Sequence, residues 1–90
     1  MTPRMQAIEV ALQAAFPDGR ITLTDESHKH VGHAGARDGR GHYDLRLISA
    51  AFRGQRPLAR HRLVYTALGT LMDTDIHALR LTTLTPEEAP

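Results

Sequence analysis

The sequence predicts a single compact α+β domain in the order α-β-β-α-β, with a three-stranded mixed sheet covered by helices on one face and a short C-terminal helical turn. Three observations carry that prediction. Apolar residues recur at helical spacing in two segments, each opened by a proline. They alternate with polar residues in three others, the mark of half-buried strands. The length, 90 residues, leaves room for one modest core and so for one domain over residues 1–90.

The elements follow in order. Thr2-Pro3 reads as an N-cap and a proline at the first helical position, and Met5, Ile8, Leu12, Ala15 and Phe16 then share one face. Pro17 to Gly19 stops this helix. Ile21 and Leu23 alternate with Thr22 and Thr24, and Tyr43, Leu45 and Leu47 with Asp44 and Arg46, giving two strands expected to pair antiparallel. Between them, His28 to Gly41 holds four of the seven glycines and almost no apolar residue, and loops of that kind in small domains are usually functional or disordered. Ser49 to Pro57 is a turn region with Phe52 as a core anchor. From Pro57 a second helix carries a continuous stripe of Leu63, Val64, Ala67, Leu68, Leu71 and Met72. Leu79 and Leu81 alternate with Arg80 and Thr82 in a third strand, Ile76 to Leu84. The last strand–helix–strand unit makes a right-handed crossover if its strands are parallel neighbours. "TPEEAP" offers a Thr cap and a proline for one short turn.

Composition narrows the chemistry. No apolar run approaches the roughly 20 residues that span a bilayer, and the N-terminus lacks a signal pattern, so a cytoplasmic location away from membranes is expected. The chain has no Cys, hence no thiolate ligand or nucleophile, and any metal would be held by nitrogen or oxygen. With no P-loop and no nucleophile elbow either, a non-enzyme without a small-molecule substrate is expected. Net charge is only +1, but ten of the eleven basic residues are Arg, which favours planar, bidentate contacts.

The stretch "DESHKHVGHAG" packs His28, His30 and His33 into six positions. On a flexible loop without carboxylate or thiolate help, such a cluster binds divalent metal weakly. "GHAG" spells the GxxG that clamps nucleic-acid backbone in KH domains, but there the motif joins two helices, whereas Gly32 to Gly35 lies between strands. A histidine such as His77, at a strand start, is ordinarily a surface group; His42 suits a hydrogen-bonded structural role, and His61 a packed one beside the helical stripe.

Four blocks, "DESHKH", "HYDLRLISAAFRG", "RHRLVY" and "IHALRLTTLTPEE", together resemble the BolA family across nearly the whole chain. The resemblance implies the α-β-β-α-β fold, related to one class of KH domain. It also implies a heterodimer with a monothiol glutaredoxin that shares a [2Fe–2S] cluster with glutathione, in iron–sulfur trafficking or iron and redox regulation. The isolated chain would carry no cofactor. Carried over onto this sequence, one ligand is His77, in "IHAL", and the second is His30, with His33 and His28 as rival donors. Neutral imidazole in place of thiolate makes such a cluster less negative and easier to reduce. Bacterial BolA-like proteins are also described as transcriptional regulators in stress responses, and for that alternative Arg53, Arg56, Arg60 and Arg62 on the second helix and its preceding turn would contact DNA phosphates. Two departures stand out: "GARDGRGHY" replaces the usual Gly-Ser-Glu approach to the His-aromatic pair, and the tail lacks the Trp common in the family.

Overall fold

The protein is described by a computed structural model over residues 1–30 and 40–90, with only the backbone at residues 29 and 30. Its elements are α1 (Pro3–Ala15), β1 (Arg20–Asp25), β2 (Gly41–Ile48), α2 (Pro57–Leu68), α3 (Leu71–Thr74) and β3 (Ile76–Leu84), with 3₁₀ turns at Ser27–His30 and Ala50–Phe52. β2 is central, antiparallel to β1 and parallel to β3, so the expected mixed sheet forms.

Local chemistry explains the boundaries. The Thr2 hydroxyl accepts from the Met5 N–H at 3.1 Å, satisfying one orphan donor of α1, and Pro3 fills the position where no N–H is needed. Ile8 and Leu12 on α1, Leu45 and Leu47 on β2, Val64 on α2 and Phe52 are each 0% exposed. Leu23, Leu45 and Leu81 stand in one cross-strand row beneath the helices.

The helical stripe needs correction. α2 ends at Leu68 because Gly69 turns to φ +54°, a conformation that favours glycine, and donates its N–H to the Tyr65 carbonyl at 2.9 Å. Leu71 and Met72 therefore belong to the separate turn α3. Leu63 is 40% exposed, since it lies about 100° round the helix from buried Val64 and only a narrow edge of α2 meets the core.

Two distant segments are tied by one carboxylate. Asp18, in the turn after α1, accepts from the Ser49 hydroxyl at 2.8 Å and the Ala50 N–H at 2.7 Å, capping the 3₁₀ turn that seats Phe52. The Ala50 N–H first, then the Ser49 hydroxyl, hold the Asp18 carboxyl below its ordinary pKa.

The chain end is closed by a reciprocal capping box. The Thr85 N–H donates to Glu88 Oε1 at 2.8 Å, and the Glu88 N–H to Thr85 Oγ1 at 3.2 Å. Arg60 of α2 also donates to Glu88 Oε1, at 2.6 Å, and these contacts, Arg60's first, pull the Glu88 pKa from 4.5 down to about 2. Its folded pKa lies below the unfolded one, so the contribution is complete above pH 4.5 and is lost as pH falls toward about 2. Glu88→Gln should lower Tm by a few degrees at neutral pH and remove part of the acid sensitivity in that window, read by circular dichroism melts; parallel pH profiles for both proteins would refute this.

Candidate functional site

The candidate site forms where β2 and β3 begin. Their register slips between Gly41 and His42: Gly41 faces Ile76 and His42 faces Ala78, which leaves His77 as an extra residue in β3. The burial pattern records the consequence. Ile76 is buried, His77 and Ala78 are both exposed, and the alternation resumes at Leu79. A regular strand would have turned His77 and Ala78 to opposite faces. The bulge brings the His77 ring to 5.0 Å from the His42 ring, tilted by 43°. His77 thus lies within β3, one residue inside the strand.

Both roots of the histidine-rich loop are anchored here. At the first, the Ser27 N–H donates to Asp25 Oδ1 at 2.8 Å, the His42 N–H to Ser27 Oγ at 3.0 Å, and the Glu26 N–H to the His42 carbonyl at 2.7 Å. Burial pushes the Asp25 carboxyl up, but the Ser27 hydroxyl and N–H outweigh it and hold its pKa below the ordinary value. At the second root, Arg40 donates from one guanidinium nitrogen to His77 Nδ1 at 3.1 Å and from another to the Asp73 carbonyl at 3.3 Å. The next N–H, that of Gly41, donates to the Asp75 carbonyl at 2.9 Å. Asp75 in turn accepts from Arg4 of α1 at 3.2 Å.

A cleft of about 400 Å³ opens beside His42, bounded by Glu26, His42, Asp44, Ala78 and Arg80. His42 itself is 7% exposed, so of the two neighbouring rings His77 is the accessible one. His28 is exposed on its 3₁₀ turn; the side chain of His30, and the whole of His33 and of Gly32 to Gly35, lie outside the described residues. Among the described residues no three His, Cys, Asp or Glu side chains group as a metal site. Arg40 and Ser27 are missed by sequence reasoning. Asp25-x-Ser27 is a turn-forming pair that could have flagged the second, whereas nothing in the "GRGHY" stretch marks the first.

The four arginines divide into two paired and two exposed ones. Arg53 makes a bidentate pair with Glu87, at 2.7 and 2.5 Å. The Arg60 side chain is only 12% exposed and spans Glu88 and the carbonyls of Gln55 and Thr83. It is a structural tie, not solvated helix surface. Arg56 and Arg62 are exposed.

Comparison with known proteins converges on one family. The family model described as BolA-like protein matches residues 12–88. The chain is 34% identical over 90 residues to protein BOLA1, chloroplastic, of Arabidopsis thaliana, covering 97% of this chain but 56% of that protein, so it spans about half the length of that relative. It is 39% identical over 83 residues to the DNA-binding transcriptional regulator BolA of Escherichia coli, covering 92% of this chain and 76% of that protein. The solved BolA domain of SufE1 from Arabidopsis thaliana superposes with TM-score 0.85 at 32% identity over 99% of both chains. Among the described residues no helix is long and apolar enough to cross a membrane.

Proposed function

The chain belongs to the BolA-like family, and from that premise we propose that it is a non-catalytic adaptor that pairs with a monothiol glutaredoxin in iron–sulfur trafficking or iron regulation, His77 supplying an imidazole ligand to a [2Fe–2S] cluster shared with the partner and glutathione. The observation that carries the reading is the bulge in β3, which places an exposed imidazole against a buried one at the edge where both loop roots are fixed.

His77 fits that group. Without Cys, nitrogen is the strong donor this chain can bring to iron. His77 is accessible, and its ring rests on His42, which limits its rotation without burying it. A ligand whose orientation is set by a neighbour loses less freedom on binding. The second donor would come from the loop, His30 first, then His33 or His28. A cluster with imidazole on one iron is easier to reduce than one held by four thiolates.

The test mixes the protein with a monothiol glutaredoxin, glutathione, iron and sulfide and reads visible circular dichroism. His77→Ala should change the cluster spectrum and weaken the heterodimer about tenfold or more, as expected for loss of a metal ligand's contribution. An unchanged spectrum with unchanged affinity would reject the reading.

The name of the E. coli relative favours a second reading, DNA binding, for which α2 and its preceding turn carry the candidate arginines. Pairing of Arg53 with Glu87 and of Arg60 with Glu88 already neutralises half of the four-arginine surface. On this reading only Arg56 and Arg62 offer their charge directly, and the fall of affinity with salt should be shallow.

A further inference from the structure

We propose that Arg40 is a latch on His77: in the free protein its guanidinium occupies the imidazole and keeps both ring nitrogens unavailable to metal, and binding of metal or partner begins by releasing it. The inference rests on the reading of His77 as a donor and adds how that donor is regulated.

Arg40 contacts His77 Nδ1 at 3.1 Å. A guanidinium carries only N–H donors and stays protonated throughout the accessible pH range, so the nitrogen it faces must be the acceptor. The Nδ1 lone pair is therefore used inside the hydrogen bond. In a neutral imidazole the proton then sits on Nε2, which leaves that nitrogen without a lone pair. A metal needs a bare lone pair. Coordination at Nδ1 requires Arg40 to move aside. Coordination at Nε2 requires the proton there to leave and another to bind Nδ1, which again requires Arg40 to move. The charge acts in the same direction, because a fixed cation beside the ring opposes an approaching metal cation.

The latch is built into the fold. Its other end donates to the Asp73 carbonyl in the last turn of α3, where helix carbonyls lack intrahelical partners and favour cations. The adjoining Gly41 N–H is pinned to the Asp75 carbonyl. Arg40 is thus held between a helix end and the ring, and regains that position once the metal departs. It also directly precedes β2, which begins at Gly41.

The experiment uses the whole chain, labelled with ¹⁵N-histidine, at a pH above the ordinary imidazole range, with Zn²⁺ as the probe. Long-range ¹H–¹⁵N spectra should show His77 protonated at Nε2 with Nδ1 as an acceptor, and Arg40→Ala should shift the Nδ1 resonance. Zn²⁺ affinity read at the His77 ring should rise about fivefold or more in Arg40→Ala, the lower end of linked-site couplings. Arg40→Gln, which keeps a donor and loses the charge, should fall between. The gain should vanish in Arg40→Ala/His77→Ala. A His77 protonated at Nδ1 in the parent protein, or Zn²⁺ affinity unchanged in both Arg40 variants, would overturn the latch. A glutaredoxin cluster spectrum indifferent to His77→Ala, with the Zn²⁺ gain still present, would instead reject the cluster reading and leave the latch standing.

Discussion

Phe52→Ala should cost about 3–5 kcal/mol, the range for emptying a buried phenylalanine site, and lower Tm by tens of degrees in a domain of this size. Phe52 is 0% exposed and its ring lies 5.3 Å from that of Phe16, tilted by 46°. It closes the space between α1 and the sheet from a 3₁₀ turn whose backbone is fixed by Ser49 and Asp18. A turn held from two sides cannot collapse into the void, so the residual cavity stays large and the loss falls toward the upper end. Urea unfolding should show a lower midpoint at unchanged slope. A midpoint within experimental error of the parent protein's would mean that Phe52 is not a core residue.

Gly41→Ala should destabilise the protein by about 1–3 kcal/mol, the usual penalty for overpacking, and should disturb the candidate site at the same time. A Cβ at Gly41 would run into the ring and hydroxyl of Tyr43. Tyr43 is 4% exposed, so the ring has no open space into which to swing. The remaining response is to move the backbone at the start of β2, where the Gly41 N–H bond to Asp75 and the register slip before His42 set the position of His77. Chemical shifts of His77 and His42 should therefore change along with the melting temperature. Full stability with unperturbed histidine resonances would show that the bulge does not depend on glycine.

The two effects differ in what a linear reading can see. Phe52 is recognisable as a core anchor because a large apolar residue in a polar turn has few other uses. The tight approach of Gly41 to Tyr43 is not recognisable, since it depends on how the buried Tyr43 ring is turned within the packed core.

The same division runs through the molecule. Helix and strand periods, the proline starts and the glycine-rich break between β1 and β2 are local properties, and they specify the element order and the mixed sheet from the sequence alone. The resemblance singles out His77 in the same way, from its place in "IHAL". Neither predicts that the Leu63 side of α2 turns to solvent, that Asp18 caps a turn 32 residues away, or that Arg60 is consumed by Glu88. Nor do they predict that Arg40 meets His77 across 37 residues, or that His42 lies beneath it. Periodicity encodes which face of an element is apolar; the partner of a polar side chain depends on which elements the packed core brings side by side, and that is decided only when the chain closes on itself.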